Sequence, residues 1–377
     1  MKALLYDMGA YTQNDLVYYL KKRGVSCRSV YYRFKDQYED EFFAKRFERC
    51  LAAADYDCVI SINFFPLVAQ ICSLHNIKYL SWSYDSPLSY QKYDYFPYET
   101  NHIFLFDRLE YEMLKNKGYQ TVHHLPLGVN TERWDAVQNA PQEPCAVALV
   151  GRLYESQLPE IAAPLSPYER GYIDSIVAAQ LNLYGHYLVD EMLADELIDR
   201  IRAAHAKAGG AIDIDLPKLS LAIATRITGL ERLRLLKAMG ERFPTLLFSR
   251  AVGELPPGVT YCGTARYFDE MPQIFKSSKI NLNPTLKSIR SGIPLRALDI
   301  LGCGGFLLSN YQPELVEYFV PGEEVAVYDS IEDAVEKAQY YVNHDDERRR
   351  IAINGYRKAR AQFSFAGQLA KMMKVIK

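Results

Sequence analysis

The sequence predicts two doubly wound α/β lobes in tandem, on three observations. Its 377 residues exceed the ~250 to 300 at which a single hydrophobic core stops growing. The first third alternates short β-rich runs with helical patterns at roughly 25-residue spacing, the rhythm of βαβ units and a parallel sheet. After a break rich in Pro and polar residues, a second alternation of the same kind begins.

In the first lobe, residues 1–137, the strand candidates are Lys2 to Tyr6, Ser26 to Tyr32, Asp57 to Ile62, Lys78 to Trp82, His102 to Phe106 and Gln120 to Leu125. Helical patterns lie between them. Asp15 to Lys22 puts Leu16, Tyr19 and Leu20 on one face, and Leu109 to Lys117 is closed by Gly118. Residues 138–144, around Pro141 and Pro144, lose periodicity and are read as the linker. The second lobe, 145–363, opens with the strand Cys145 to Val150 and is interrupted by a helical insertion over about 168–240. Alternation resumes with Thr245 to Ser249, Val259 to Cys262, Lys279 to Asn283, Phe306 to Ser309 and Glu324 to Tyr328. Helices follow over 331–343 and 346–361. A final helix, 364–377, is expected to pack back on the first lobe.

Composition narrows the function. Hydrophobic residues at 49%, charged residues at 24% and 18 scattered prolines describe a packed protein rather than a disordered one. A net charge of -2 gives no summed field for nucleic acid or an anionic membrane, so any anion site is local. Seven single cysteines without a CxxC pair indicate neither a disulfide framework nor a zinc ribbon. The opening apolar run is broken at Asp7, short of a signal-peptide core, and no uncharged run approaches the ~18 residues of a membrane span. A cytoplasmic protein is expected. The 29 tyrosines suit amphipathic surfaces such as carbohydrate clefts or partner interfaces, yet a tyrosine is more often simply half-buried at the core edge.

The segment from Asn281 to Gly305 carries the most chemistry. A buried strand ends at Asn283, a polar loop with Lys287 and Arg290 follows, and a helix opens near Pro294, with Arg296 in its first turn as a third cation for a bound ligand. Amides around Ser291 and Gly292, with the helix dipole, form a cradle for a pyrophosphate, and Lys287 and Arg290 supply charge-assisted hydrogen bonds. Asp299, farther along the helix, is placed for a ligand diol. The structural alternative is a solvated cationic loop and a carboxylate paired within the fold.

This segment, SGIPLRALDILGCGGFLLSN, resembles the donor-binding motif of GT-B glycosyltransferases, in which two acids flank such a helix. The resemblance implies that Asp299 binds the ribose hydroxyls of a nucleotide sugar; Ser291 stands where the first acid is expected. Leu127-Gly128-Val129-Asn130-Thr131-Glu132-Arg133-Trp134 resembles the element closing the acceptor lobe. Gly151-Arg152-Leu153 resembles the turn opening the donor lobe, which assigns Arg152 to the phosphates. Trp82-Ser83-Tyr84-Asp85-Ser86-Pro87, Gly171-Tyr172-Ile173-Asp174 and Tyr311-Gln312-Pro313-Glu314-Leu315 narrow the likeness to the CgeB-like (spore maturation protein) branch. The implied protein is a metal-independent, retaining transferase without a cofactor, whose donor is a nucleotide sugar such as a UDP-sugar.

Asp85, after the fourth strand, is the candidate to orient the acceptor or serve as general base, which requires burial to raise its pKa. Its alternative is an Asx turn before Pro87. Gly9, after the first strand, lets the backbone approach a ligand. His75, His123 and His124 form no metal pattern, the last two facing opposite sides of a strand. The run Asp345 to Arg350 reads as a solvated helix start with acids first and cations later. Two further classes remain open: an epimerase or hydrolase on the same fold, and a non-catalytic nucleotide- or sugar-binding module.

Overall fold

A computed structural model describes residues 1–88, 93–138, 145–250 and 253–376. The chain divides into two compact units, Met1–Asn130 with Arg360–Lys377, and Thr131–Ala359. Most of the expected linker, residues 139–144, lies outside the described residues.

The first unit is a six-stranded parallel sheet of order β2-β1-β3-β4-β5-β6, formed by β1 (Lys2–Asp7), β2 (Ser26–Tyr31), β3 (Cys58–Ile62), β4 (Lys78–Trp82), β5 (Asn101–Leu105) and β6 (Val122–His124). Its helices are α1 (Gln13–Lys22), α2 (Glu41–Leu51), α3 (Pro66–Leu74) and α4 (Arg108–Asn116). The central strands are apolar along their length because both faces are covered: all five residues of β3 are buried. Around them Tyr6, Phe43, Phe47, Phe64, Phe65 and Phe96 build an aromatic core.

The chain returns to this unit at its C-terminal end, through α16 (Phe365–Met372) and a short 3-10 turn. Val129 donates to Phe363 O at 2.8 Å and accepts from Phe365 N at 2.9 Å, so it pairs on both sides of Ser364. Phe365 stacks on Tyr19 at 5.4 Å and tilts against Trp82 at 5.3 Å, and Lys78 Nζ donates to Val375 O at 2.8 Å. Asn130 is fixed by Tyr19 Oη and by its own bond to Asp15 Oδ1, at 2.8 and 2.6 Å. The Gly128-Val129-Asn130 stretch therefore anchors the returning tail. The next helix, α5 (Thr131–Ala136), belongs to the second unit, where Trp134 packs edge-on to Tyr267 at 5.5 Å.

The second sheet has order β12-β11-β10-β7-β8-β9, also parallel. It comprises β7 (Val147–Val150), β8 (Thr245–Phe248), β9 (Val259–Tyr261), β10 (Ile280–Asn283), β11 (Leu307–Asn310) and β12 (Ala326–Tyr328). Between β7 and β8 come α6 (Leu158–Ala162), α7 (Pro167–Leu181), α8 (Val189–Met192), α9 (Asp195–Lys207) and α10 (Leu216–Gly240), and the rest of the unit is α11 (Glu270–Ser277), α12 (Leu295–Gly302), α13 (Pro313–Tyr318), α14 (Ile331–Asn343) and α15 (Asp345–Gln362). A Ser166–Glu169 capping box starts α7, and the Asp215 side chain caps α10. The expected insertion over 168–240 treats α10 as part of one helical body. In the structure α10 serves two cores: Leu219, Ile223 and Ile227 join the insertion's cluster, while Leu235, Leu236 and Met239 join the sheet's.

The run at the start of α15 is not wholly solvated as expected. Arg348 is 6% exposed, donating from Nη1 to Tyr341 O at 2.9 Å and Asp345 Oδ1 at 2.5 Å. Arg348 and Lys279 hold the Asp345 carboxyl down at about 2. No helix among the described residues is long and apolar enough to cross a membrane, and the seven cysteines are free thiols.

Two outcomes follow for the first unit. A Cβ built at Gly128 lies 2.8 Å from Phe365 Cα and 3.2 Å from the Trp82 ring, so Gly128→Ala should destabilise by about 1 to 3 kcal/mol through overpacking. Limited proteolysis should then trim the tail after residue 360; an unchanged melting curve and cleavage pattern would contradict the anchor. His123 faces His102, whose Nδ1 lies 3.3 Å from His123 Nε2. Burial first, then His123, lowers the His102 pKa from 6.5 to about 4. The unfolded chain binds this proton first, so stability present above about pH 6.5 is lost as pH falls toward 4. His102→Gln should flatten that part of a stability–pH curve measured by urea unfolding.

Candidate functional site

In the second sheet, strand order reverses between β7 and β10, and in open α/β sheets ligands bind beyond the carboxyl ends at such a switch point. Two loops leave there. One, after β7, carries Gly151 and an exposed Arg152; the other, after β10, runs from Pro284 to Pro294, the N-cap of α12. Asn310, ending β11, closes the second loop by accepting from Thr285 N at 3.0 Å.

The middle of α10 holds these loops from beneath. Arg232 donates through Nε and Nη2 to Pro284 O, at 3.2 and 2.6 Å, and through Nη1 to Arg152 O, while its guanidinium lies over the Tyr154 ring at 4.8 Å. Burial pulls its pKa below the usual arginine value. Glu231, 1% exposed, pairs with Lys287 Nζ at 3.2 Å and accepts from Asn310 Nδ2 at 3.3 Å. Thr228 Oγ1 accepts from Lys287 N at 3.0 Å. A Cβ at Gly229 would sit 2.8 Å from Tyr154 O and 2.9 Å from Leu153 O, so only glycine lets α10 approach the β7 loop this closely.

The sequence-predicted cations are therefore present but engaged. Lys287 turns inward, 3.9 Å above the Tyr184 ring and beside Glu231, instead of facing open solvent. Arg290 pairs with Asp190 of α8 and lies 5.7 Å from the Tyr187 ring. Ser220 Oγ donates to that Asp190 at 2.6 Å, so the insertion contributes a carboxylate to the cation loop. A narrow polar pocket runs among Gln180, Tyr187, Lys287, Arg290, Asn310 and Gln312.

Ser291 is buried and donates to Glu314 Oε1 at 2.8 Å, so a carboxylate from α13 sits beside the position where an acid was expected. Gly292 is buried in the same turn. Asp299, 1% exposed, accepts from Tyr267 Oη at 3.0 Å and lies 3.6 Å from Arg296 Nη1. Arg296 also reaches Met271 Sδ and lies 5.7 Å from the Phe275 ring.

In the first unit the order reverses between β1 and β3. Gly9, after β1, has φ +92° and donates its amide to Asp7 Oδ1 at 2.7 Å, with Tyr31 and Arg33 beside it. Asp85, after β4, is exposed and accepts from Asn63 Nδ2 at 2.7 Å, while Asn63 Oδ1 takes the amide of Tyr84 at 2.7 Å. The burial that a general base requires is not present around Asp85.

Sequence reasoning missed Glu231, Arg232, Tyr184, Asp190 and Tyr267. One signal was available: a Glu-Arg pair in the middle of a long helix whose neighbours are apolar, where buried charges demand partners.

Residues 230–374 match the Glycosyl transferase-like family model. That span begins at the α10 turn and includes β10, the cation loop, α12 and Glu314. No curated protein sequence matches the chain. Among solved structures, sucrose-phosphate synthase from Thermosynechococcus elongatus aligns over 100% of this chain and 98% of its own at 10% identity and TM-score 0.58. Anabaena HepE in complex with UDP-glucose aligns over 100% and 99%, at 10% and 0.58. A glycosyltransferase from Rickettsia africae aligns over 100% and 97%, at 11% and 0.53. The fold is GT-B.

The Lys287–Glu231 pair gives a direct outcome. Lys287→Ala leaves Glu231 buried without its cation and should cost about 3 to 5 kcal/mol, whereas the double replacement Lys287→Met with Glu231→Leu should recover much of that. Denaturant unfolding of both variants checks this; additive losses would contradict it.

Proposed function

We propose that the chain is a nucleotide-sugar-dependent glycosyltransferase, of the CgeB-like branch, in which the second unit binds the donor. The observation that carries this reading is the family match over 230–374, which takes in the loop after β10 and helix α12 at the sheet's switch point. The nucleotide named with Anabaena HepE makes a UDP-sugar the first donor to try.

In this reading, Asp299 exchanges Tyr267 and Arg296 for the two ribose hydroxyls, and the amides at Ser291 and Gly292 meet the diphosphate at the start of α12. Arg152 and Arg290 stabilise the departing diphosphate, in place of a catalytic metal, with Arg290 released from Asp190. Breaking the bond from the anomeric carbon to the phosphate oxygen concentrates charge there, so these cations count for more in the transition state than in the bound donor. Lys287, paired with Glu231, holds the loop that carries Arg290 in place. In the first unit Asp85 orients the acceptor hydroxyl, and Gly9 lets the backbone approach a ligand. Retention of configuration and a cytoplasmic setting belong to the same proposal.

A non-catalytic nucleotide-binding module is the second reading, favoured by the pairing of Lys287 and Arg290 with carboxylates of the fold. Calorimetric titration with UDP, followed by UDP release from UDP-glucose and other UDP-sugars, separates the two. The transferase reading predicts binding and slow donor hydrolysis; binding without turnover favours the module, and no nucleotide binding defeats both.

Asp299→Ala should weaken UDP binding by about 1.5 to 3 kcal/mol per lost charged bond and abolish the preference for UDP over 2′-deoxy-UDP. Wild-type discrimination in that variant would remove Asp299 as the ribose ligand. Arg290→Ala should lower kcat by about 10² at saturating donor, by analogy with a lost oxyanion donor, and normal kcat in folded protein would exclude it.

A further inference from the structure

We infer that Arg232 is a positioning residue for the donor site, registering the two switch-point loops to each other. The inference rests on the proposed donor site for its binding consequence, but the coupling of the loops stands on geometry alone.

Nε, Nη1 and Nη2 of Arg232 all donate to main-chain carbonyls on two loops separated in sequence, Arg152 O after β7 and Pro284 O after β10. The carbonyl of residue 152 belongs to the candidate phosphate ligand itself. Pro284 opens the loop bearing Lys287 and Arg290. A planar guanidinium reaches both loops at fixed angles, which a lysine ammonium cannot copy. Tyr154 covers one face of the fork, and a Cβ at Gly151 would lie 3.1 Å from Nη1, so the β7 loop is shaped around it.

The charge matters as well. Lys287 has Glu231, and Arg290 has Asp190, but no carboxylate among the described residues lies within ion-pair distance of Arg232. Burial lowers its pKa below the usual arginine value, while Tyr154 and the neighbouring Glu231 act in the opposite direction. Its fork thus rests on the two loop carbonyls and the Tyr154 ring, and an anion at the loops above would be favoured by the nearby positive charge.

The test compares the full-length wild type with Arg232→Lys, Gly151→Ala and Leu236→Ala, by hydrogen–deuterium exchange of the loops and by UDP titration. Arg232→Lys keeps the charge and loses the fork; Gly151→Ala crowds the guanidinium without removing it; Leu236→Ala is a core control on the same helix. The expected result is faster exchange in both 151–156 and 284–292 for the first two variants, with UDP affinity about tenfold or more weaker. Leu236→Ala should lower the melting temperature without singling out these loops. Unchanged exchange in either loop, or the same pattern from Leu236→Ala, would overturn the inference. If Arg232→Lys does not fold, Gly151→Ala decides on the same readouts. Loops that loosen together in a protein whose wild type binds no nucleotide would support the coupling, refute the donor-site part and defeat the proposed function separately.

Discussion

The second unit depends on how one turn of α10 disposes of buried charge. Glu231 and Arg232 lie beneath the switch between β7 and β10, one pairing with Lys287 and the other with carbonyls. Taking such groups from water is expensive, and the cost is offset by the ion pair and hydrogen bonds they make with the loops. The loops above must therefore keep the shape that satisfies these groups. Thr228 and Gly229 complete the constraint, one bonding the amide of Lys287 and the other admitting the β7 loop against the helix.

The same turn explains how the insertion relates to the site. Because α10 is shared by the insertion's core and the sheet's core, the insertion is fixed to the strand-end loops rather than appended to them. Its α7–α8 segment brings Tyr184 over Lys287 and Asp190 onto Arg290. A cation loop that looks open in the sequence is thereby partly neutralised. An anion at that loop would have to compete with the protein's own carboxylate.

Much of the fold was legible because alternation of short apolar runs with helical faces survives in a sequence whatever the tertiary detail. Strands such as Lys78–Trp82 and the helix Ile331–Asn343 were read with the observed ends. The candidate site was legible only at its surface. The pattern around Pro294 and Asp299 marks a strand, loop and helix, but which partner meets each charge depends on residues far apart in sequence: Tyr267 for Asp299, Asp190 for Arg290 and Glu231 for Lys287. Arg348 was misread as solvated for a different reason: its partner carbonyl at Tyr341 is near in sequence but is brought to it by the turn between two helices. The role of Gly128 was hidden too, because the Phe365 backbone it admits is contributed by the far end of the chain.

The central claim is that the loops after β7 and β10, with the start of α12, form a nucleotide-diphosphate site. A crystal structure of the full chain grown with saturating UDP tests it most directly. The account predicts the diphosphate at the start of α12 within hydrogen-bond reach of Arg152, with the ribose hydroxyls on Asp299 and Tyr267 displaced. UDP bound elsewhere, or Asp299 still held by Tyr267 and Arg296 in a nucleotide-loaded protein, would contradict it.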